Sequence, residues 1–295
     1  MSVAGERCVL GLDIGGSRTR ARLVEGGTIV AEVEGRGANP AALAIAVVER
    51  RLGDLLGRLG PVRPAACCAG AAGAEVPAAR ARLEAVLSRL LPGTAVEVVH
   101  DARLVLAAAG LDHGVALIAG TGSVAYGRDH SGREARAGGW GWQLGDDGSG
   151  AWIVREAARE VLRRADALEP LGPLGDCLLA ATEVPGAVEL TGRLHRLREP
   201  RRWAALAGAV FAAARTDPAA AALVTRAGAS LAELVAVVRG RTGEGGAVVL
   251  AGGLLLNQPL LEAAVRERLT GGVMRLEKEP VAGAVRLAAR TIGAA

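Results

Sequence analysis

Aromatic and lysine side chains are nearly missing from this sequence of 295 residues. Phenylalanine, tryptophan and tyrosine make up 2% of it, and Lys278 is the single lysine. No GxxxxGKS or GxxxxGKT pattern occurs, and Lys278 stands in a Glu-rich setting near the C-terminus. A P-loop and a protein-kinase lysine are therefore excluded as ways of binding nucleotide phosphates.

Cysteine is also sparse, and its spacing forms no motif. The four cysteines are Cys8, Cys67, Cys68 and Cys177, and no CxxC pair occurs among them. Zinc and redox motifs built on cysteine therefore lack support. Cys8 and the Cys67-Cys68 pair lie inside apolar, strand-like runs, so we expect buried free thiols in a reducing compartment.

Long hydrophobic runs and clustered charge are missing as well. Hydrophobic residues form 51% of the chain, but Arg, Glu or Gly interrupts the apolar runs well before the roughly 18 residues of a membrane span. Met1–Arg7 is too short and too polar for a signal peptide. The net charge of +4 comes from arginines scattered among Asp and Glu, with no basic cluster interleaved with aromatics. We expect a cytoplasmic protein of about two domains, with neither nucleic acid nor a membrane as partner.

Three of the four tryptophans stand in one glycine-rich run, Gly139–Trp152. The run also contains five glycines and the adjacent carboxylates Asp146 and Asp147. Glycine lets a backbone approach a ligand closely, tryptophan offers a flat apolar face, and carboxylates accept hydrogen bonds from hydroxyls. These properties predict a polyol site. The alternative is a rigid turn, packed by tryptophan, that leads into a helix capped by Ser149.

The chain opens with two predicted β-hairpins. Strands are expected at 8–14, 19–24 and 28–33, with turns at Gly15–Ser17 and Gly26–Gly27. A turn of small residues leaves backbone N–H groups able to cradle a phosphate. Asp13, at the end of the first strand, is placed to hold a hydrated Mg²⁺ ion. The alternative is an ordinary hairpin with an aspartate at a strand end.

Alternating helices and strands follow. In order they are a helix that follows Asn39-Pro40 and runs to about 58, a strand at 64–69, a helix at 77–91, a strand at 96–99 and a helix at 102–109. Asp101 stands where a strand gives way to a helix, a position that can reach into a cleft. The alternative role for Asp101 is an ordinary helix N-cap.

The segment from Gly114 onwards repeats the N-terminal unit. Gly120–Ser123 matches a dinucleotide-binding GxGxxA pattern through Ala125, but a strand is expected next instead of a helix, which rejects that interpretation. Positions 106 apart carry the same residue, namely Gly16 and Gly122, Ser17 and Ser123, and Gly26 and Gly132. The repeat predicts two related domains that face one cleft, each with one phosphate-binding turn. The expected boundaries are 1–110 and 111–280, with a last helix, about 281–295, packed back on the first domain.

After Trp152 the pattern is mostly helical. Helices are expected at 151–164, 172–181, 186–195, 203–214, 219–239, 259–269 and 280–292, and strands at 247–251 and 273–276. Gly252 and Gly253 follow the first of these strands, where a flat base or ribose could approach the backbone. The alternative is an ordinary turn between a strand and a helix.

Four motifs together resemble the actin-like ATPase/sugar kinase superfamily. In the family's order they are Asp13–Thr19, Asp101–Ala102, Gly120–Ser123 and Ala251–Gly253. The chain is most similar to the N-acetylglucosamine kinase family and to its relatives, the activator ATPases of benzoyl-CoA reductase and 2-hydroxyacyl-CoA dehydratase. Gly139–Gly150 resembles the Gly-Trp-Gly…Gly-Asp-Glu-Gly-Ser loop of the kinases, with Asp147 where glutamate is usual. The resemblance implies an α/β fold of two duplicated actin-like, ribonuclease H-like domains facing a central cleft.

The resemblance also implies a role for each motif. The implied ATP phosphate loops are Gly15, Gly16, Ser17 and Thr19, and then Thr121, Gly122 and Ser123. Gly252 and Gly253 would flank adenosine, and Asp13 would hold Mg²⁺ through water. Asp101 would be the base near the sugar 6-hydroxyl. The implied sugar-binding residues are Asn39, Asp101, Thr121, Trp140, Gly141 and Asp146.

An ATP- and Mg²⁺-dependent kinase of an amino sugar is the function that these roles imply. N-acetylglucosamine and glucosamine are the first acceptors, and N-acetylmuramic acid and glucose stay open. The second interpretation is an ATPase that drives conformational change in a redox partner. Such activators hold an iron–sulfur cluster with cysteines of two subunits, and no cysteine lies between Thr121 and Trp152, which favours the kinase.

Two further points concern partners. A sugar-responsive regulator on the same fold would bring a DNA-binding helix-turn-helix, and we expect no N-terminal segment to hold one. Family members are often homodimers, but the sequence leaves the oligomeric state open.

Overall fold

The first five strands form one mixed sheet. They are β1 (Val9–Ile14), β2 (Arg18–Glu25), β3 (Thr28–Arg36), β4 (Ala66–Ala71) and β5 (Ala95–His100), in the order β3-β2-β1-β4-β5. The neighbours β1–β2 and β2–β3 are antiparallel, whereas β1–β4 and β4–β5 are parallel. Along β2, buried Thr19, Ala21 and Leu23 alternate with more exposed arginines, as a half-buried strand requires.

This computed structural model describes residues 8–61 and 63–293, so the predicted polar start Met1–Arg7 lies outside the described residues. The contacts between residues divide the chain into two compact units. The first unit comprises the residues up to Asp112 and those from Leu276 onwards, and the second is His113–Arg275.

Three helices accompany the first sheet. They are α1 (Ile45–Gly57), α2 (Pro77–Leu90) and α3 (Asp101–Ala108). The prediction that a helix starts directly after Pro40 is wrong, because the side-chain oxygen of Asn39 accepts hydrogen bonds from the N–H groups of Ala41 (2.8 Å) and Ala42 (3.2 Å). These bonds fold residues 39–42 into a turn, and α1 begins only after Ala44.

The second unit repeats the sheet of the first. Its strands are β6 (Gly114–Ala119), β7 (Ser123–Arg128), β8 (Glu134–Gly138), β9 (Val248–Ala251) and β10 (Val273–Arg275). Read from its other edge, the order β8-β7-β6-β9-β10 has the same antiparallel and parallel pairs as β3-β2-β1-β4-β5. The predicted α/β fold with a duplicated unit is therefore confirmed.

Eight helices complete the described part of the second unit. They are α4 (Gly150–Asp166), α5 (Gly172–Thr182), α6 (Ala187–Arg196), α7 (Pro200–Ala204), α8 (Ala207–Ala213), α9 (Pro218–Thr242), α10 (Gly253–Asn257) and α11 (Pro259–Arg266). The single helix predicted at 203–214 is wrong, because the chain tightens where Leu206 N–H donates to Trp203 O (2.9 Å) and α7 ends. The sequence also misses α10, which is too short to show a helical period.

Helix α9 is long and apolar enough to cross a membrane, by length and composition alone. Arg226, Gly228 and Glu233 do interrupt its apolar runs, as the sequence indicates, but they leave the average hydropathy high. About 44% of its most apolar window is buried, and the helix packs on β7 and β8. A core helix passes the same test, so this finding is weak evidence for a membrane span.

The last helix, α12 (Pro280–Gly293), packs on the sheet of the first unit, against β1, β4 and α3. A side chain at Gly283 would place its Cβ 2.0 Å from the carbonyl oxygen of Leu104, so only glycine permits this approach. The helix therefore closes the core formed by Val9, Cys68 and Val99.

All four cysteines are free thiols. Cys67 and Cys68 on β4 are buried, as predicted. Cys8 is only half-buried, contrary to the strand pattern, because it precedes β1 and lies outside the sheet. Burial raises the pKa of the Cys68 thiol to about 12 and raises that of Cys67 further, so both thiols stay protonated and unreactive.

Candidate functional site

The turn between β1 and β2 is fixed by three main-chain hydrogen bonds. Gly15 N–H donates to Arg18 O (2.9 Å), Gly37 N–H to Ser17 O (3.0 Å), and Ala38 N–H to Gly15 O (3.2 Å). Gly16 and Ser17 are exposed, and in the described part of the chain their N–H groups donate to no main-chain oxygen. The turn thus offers two adjacent free donors, which is the arrangement that binds an oxyanion.

Gly37 is a residue of this turn that the sequence analysis missed. A Cβ added there would lie 2.1 Å from Gly16 O and 2.7 Å from Ser17 N, so the end of β3 rests directly on the turn. Its counterpart in the second unit is Gly139, whose N–H donates to Ser123 O (2.8 Å). The second hairpin is shorter than the first. Gly37 and Gly139 are therefore 102 positions apart and do not share the 106-residue offset of the other repeated residues.

Thr19 differs from the other residues predicted for the first turn. Its side chain is 1% exposed, and in the described part of the chain its hydroxyl has no hydrogen-bond partner. Thr19 pairs with Ile14 across the β1–β2 ladder. It therefore lies at the base of the turn and is not presented to solvent beside Gly16 and Ser17.

Asp13 ends β1 in a strongly perturbed environment. Burial, and secondly the negative charge of Asp101, raise the pKa of the Asp13 carboxyl to about 6, while Arg18 and Arg20 oppose the shift. Asp13 lies near the end of β1, and Asp101 directly follows β5, which is separated from β1 by β4. A cation beside Asp13 would relieve both unfavourable effects, and carboxylate oxygens suit Mg²⁺.

Asp101 is the first residue of α3, and the alternative role of N-cap belongs to His100 instead. Both His100 Nδ1 (3.1 Å) and Asp101 Oδ1 (2.8 Å) accept the N–H of Ala102, and these two acceptor atoms lie 3.0 Å apart. The Asp101 side chain is 34% exposed. In the described part of the chain its Oδ2 accepts no hydrogen bond, so one carboxylate oxygen is left for a substrate hydroxyl.

Asn39 is partly buried in the first unit, beside Gly73. Its amide oxygen is used by the turn before α1. The amide nitrogen is the atom that stays available to a ligand.

The turn between β6 and β7 is similar to the first turn but one residue shorter. Gly120 N–H donates to Gly122 O (2.9 Å), and Gly150 N–H donates to Gly120 O (2.9 Å). Thr121 is exposed, and within the described ranges the N–H groups of Thr121 and Gly122 donate to no main-chain oxygen. Each unit therefore carries one turn with two free donors.

Asp146 supports this second turn. It has a left-handed backbone (φ 57°) and is 9% exposed. Burial raises the pKa of its carboxyl, while hydrogen bonds from the N–H groups of Ser123 and Gly141 oppose the shift. The neighbouring carbonyl of Asp147 accepts the Ser123 hydroxyl (2.8 Å). The Gly139–Trp152 run is thereby attached to the start of β7.

The tryptophans of that run have different environments. Trp140 is 70% exposed, with the Arg136 guanidinium 5.0 Å from its ring centre. Trp142 packs against Trp203 with ring centres 5.9 Å apart, and Trp152 is buried. Ser149 caps α4 as predicted, since its hydroxyl accepts the Trp152 N–H (3.3 Å). The run is thus a rigid turn that leads into a helix, and it presents one aromatic face to solvent.

Gly252 and Gly253 lie beside the second turn. Gly252 has φ 92°, and a Cβ there would lie 2.3 Å from the carbonyl oxygen of Ala119. Gly253 is exposed at the start of α10. The structure therefore brings this glycine pair to the same end of the second sheet as Gly120–Ser123.

Comparison with known proteins identifies the group to which these motifs belong. The model of the BadF/BadG/BcrA/BcrD ATPase family matches residues 10–288. The chain belongs to this family. The match covers both units and every predicted site residue.

Two proteins that are similar to this chain are named as sugar kinases. An N-acetylmuramic acid/N-acetylglucosamine kinase of Clostridium acetobutylicum is 35% identical over 167 residues, which are 54% of either chain. An N-acetyl-D-glucosamine kinase of Dictyostelium discoideum is 31% identical over 38% of this chain and 36% of its own. The matches thus span about half, or less, of these curated relatives.

Solved structures match over nearly the whole length. One of them is a protein of Chromobacterium violaceum provisionally named N-acetylglucosamine kinase, 28% identical, with a TM-score of 0.73 over 96% of this chain and 99% of its own. A ROK hexokinase of Thermus thermophilus is more distant, with 20% identity and a TM-score of 0.57 over 97% of this chain and 99% of its own. Its likeness to this chain shows the fold alone.

Proposed function

We propose that the protein is an ATP- and Mg²⁺-dependent sugar kinase that phosphorylates the 6-hydroxyl of an amino sugar, N-acetylglucosamine or glucosamine. The observation that carries this proposal is the pair of matching turns, each with two free N–H donors. Phosphoryl transfer depends on positioning and on charge stabilisation, which such donors supply. Relatives named as kinases of N-acetylglucosamine support the choice of acceptor.

The nucleotide would be held by main-chain atoms and one metal. Gly16 and Ser17 in the first unit, and Thr121 and Gly122 in the second, would bind the phosphates, whereas the predicted Ser123 is 2% exposed and its hydroxyl donates to Asp147 O. Gly252 and Gly253 would contact adenosine, where the absence of side chains leaves the backbone accessible. Asp13 would hold Mg²⁺ through water, and the ion would neutralise phosphate charge during transfer.

The acceptor would be held by polar groups and one aromatic face. The exposed ring of Trp140 suits the C–H face of a sugar, beside the backbone of Gly141. The amide nitrogen of Asn39, the Thr121 hydroxyl and the carboxylate of Asp146 are the further proposed contacts.

Asp101 would act as the general base. Its free Oδ2 would accept the proton of the sugar hydroxyl while the hydroxyl oxygen forms a bond to the γ-phosphorus. The bond from that phosphorus to the β–γ bridging oxygen breaks, and ADP leaves with the electron pair. The hydrogen bond from Ala102 N–H to Oδ1 keeps the carboxylate in one orientation.

An ATPase that activates a redox partner is the competing function, since the family includes activators of that kind. Such an activator needs accessible cysteines to hold its cluster. In the described part of this chain the adjacent pair Cys67 and Cys68 is buried in β4 and is not accessible. In the described residues Cys8 and Cys177 belong to different units and are each single. The thiols therefore favour the kinase.

An ADP-release assay with Mg·ATP tests the proposal. The panel contains no sugar, N-acetylglucosamine, glucosamine, N-acetylmuramic acid and glucose. We expect release to depend on one amino sugar, which would name the acceptor. Equal release with and without every sugar would contradict kinase activity on these acceptors and would favour the partner-activating ATPase.

A further inference from the structure

Two histidines and a glutamate meet at the end of the second sheet that lies away from the phosphate turn. His113 precedes β6, His130 lies in the turn between β7 and β8, and Glu244 follows α9. One possible ligand atom from each side chain lies within 4.8 Å of the other two. The six residues of β6 separate this cluster from Gly120 by about 20 Å.

We propose that His113, His130 and Glu244 bind one Zn²⁺ ion, at a site that the proposed sugar phosphorylation does not use. Two imidazole nitrogens and one carboxylate oxygen form a common zinc donor set, with water in the fourth position. Ligand bonds of about 2.0–2.2 Å place two tetrahedral ligands about 3.4 Å apart. His113 Nδ1 and Glu244 Oε2 are already 3.3 Å apart.

The remaining separations can close by side-chain rotation. The rings of His113 and His130 lie 3.6 Å apart between centroids and are tilted by 34°. His130 is exposed, so its imidazole can turn towards the other two ligands without displacing the core. The donor set also selects among metals, because Mg²⁺ and Ca²⁺ prefer oxygen ligands and would gain little from imidazole.

Glu244 is held in the position of a ligand. It is 4% exposed, its Oε1 accepts the N–H of Gly246 (2.6 Å), and its own N–H donates to the hydroxyl of Thr242 (3.2 Å). Oε2 is left facing His113. In the described part of the chain this carboxylate forms no ion pair with Arg or Lys, although a buried carboxylate needs a cation nearby. Supporting hydrogen bonds of this kind orient metal ligands.

The turn that carries His130 is also fixed in advance. The carboxylate of Asp129 accepts the hydroxyl of Ser131 (2.7 Å) and the N–H of Arg133 (2.8 Å). The Arg133 guanidinium in turn donates to Thr242 O at the end of α9 (2.8 Å). The two segments that supply His130 and Glu244 are therefore joined before any ion binds. A zinc ion would bind His113 as well and so join the start of β6 to these two segments, which would stabilise the second unit.

Zinc binding to the full-length, tag-free protein tests the proposal after chelator treatment. Titration calorimetry with Zn²⁺ should give one site per chain, while millimolar Mg²⁺ should give none. At about a hundredfold excess of Zn²⁺ over its dissociation constant, the thermal midpoint should rise by about 5 °C or more. His130→Ala should weaken binding by at least about 10-fold, which at the same Zn²⁺ concentration reduces the rise to about half or less.

His195→Ala is the matched control, because His195 is an exposed histidine on α6 outside the cluster. It should bind Zn²⁺ like the unaltered protein. His130 is exposed, so its variant should keep the metal-free thermal midpoint, which the same scan checks. Unchanged zinc affinity in His130→Ala would overturn the proposal, as would the absence of saturable zinc binding or equal losses in the two variants.

Discussion

Asp13 shows how a single residue can be unfavourable for the fold and useful for a ligand. The carboxylate is partly buried near the end of β1, and this desolvation, with the charge of Asp101, raises its pKa to about 6. Ionisation of the Asp13 carboxyl therefore costs more free energy in the folded chain than in the unfolded chain. An enzyme that binds a cation there would recover this free energy on binding.

Asp13→Asn should make the metal-free protein more stable above pH 6. The unfolded-state pKa is near 3.8 and the folded-state pKa is higher, so the penalty is complete above about 6 and vanishes below about 4. The variant should gain on the order of 1–3 kcal/mol in the free energy of unfolding at pH 8, and nothing at pH 4. Denaturant unfolding at the two pH values measures this difference.

The exposed Asp54 on α1 supplies the control for that measurement. Asp54→Asn should change the unfolding free energy little, and equally at both pH values. If Asp13→Asn were no more stable than the unaltered protein at pH 8, the perturbed environment of Asp13 would be contradicted.

Asp101→Asn should remove the proposed base with little change in shape. We expect kcat to fall by on the order of 10²–10⁴, because an amide cannot take up the hydroxyl proton. Nucleotide affinity should stay nearly constant, since the phosphates are held by other groups. Steady-state kinetics with the preferred sugar, together with nucleotide titration, measures both. Turnover close to that of the unaltered protein would remove Asp101 from this role.

At the scale of elements, each of the two turns proposed to bind phosphate is held by the residue that follows the third strand of its unit. Gly37 and Gly139 stand in equivalent places and donate to Ser17 O and Ser123 O. The first of these contacts has no room for a side chain. The two units thus share a device that a hydrophobic pattern does not reveal.

Gly37→Ala should disturb the first turn. A Cβ 2.1 Å from Gly16 O forces the turn or β3 to move, and displacements of about 1 Å can cost on the order of 10²-fold in activity. We expect kcat/KM for ATP to fall by about that factor. Gly57→Ala is the control, because a Cβ there meets no atom within 4 Å. Equal kinetics for the two variants would show that the contact does not shape the turn.

Helix α9 begins at a buried carboxylate that joins three segments. Asp217 is 2% exposed, accepts the N–H groups of Ala219 and Leu174, and pairs with Arg164 through both oxygens (2.9 and 3.0 Å). The Arg164 guanidinium holds the pKa of this carboxyl well below its usual range. The start of α9 is therefore fixed to α4 and α5.

Asp217→Asn should destabilise the second unit by about 3 kcal/mol at neutral pH, because it removes the buried ion pair with Arg164 and leaves that guanidinium with Glu160 alone. The pKa is lowered on folding, so this stabilisation is complete above about pH 4 and is lost as the pH falls further. Thermal unfolding measured from pH 7 to pH 3 should show that the difference in stability between the variant and the unaltered protein becomes smaller as the pH falls. Asp166→Asn, at an exposed position on α4, should show no gap. A gap that does not depend on pH would contradict the assignment.

Local sequence signals predicted most of the elements and the repeat. The hairpin turns, the Ser149 cap and the positions of most strands along the chain follow from small residues, alternation and capping chemistry. The late start of α1 was not predictable from periodicity, because the side chain of Asn39 folds the preceding residues into a turn. The contact of Gly37 and the cluster of His113 with Glu244, 131 positions apart, depend on tertiary approach and leave no spacing motif.

At the scale of the whole molecule, the duplicated sheet explains why each unit carries one turn with two free N–H donors at the equivalent place. Family membership is shown across residues 10–288, whereas the acceptor and the fate of the γ-phosphoryl group are proposals. The identity of the acceptor and the fate of the γ-phosphoryl group distinguish a kinase from an activator ATPase of the same fold. The phosphoryl acceptor, sugar or water, decides between them.

The most direct test is to follow the γ-phosphoryl group of labelled ATP in the presence of Mg²⁺ and N-acetylglucosamine or glucosamine. We predict that the label appears in a sugar phosphate ester at the 6-position, in amounts equal to the ADP formed. Asp101→Asn should form this ester far more slowly. Label that appears only as inorganic phosphate, at a rate that neither sugar changes, would contradict the account and identify an ATPase.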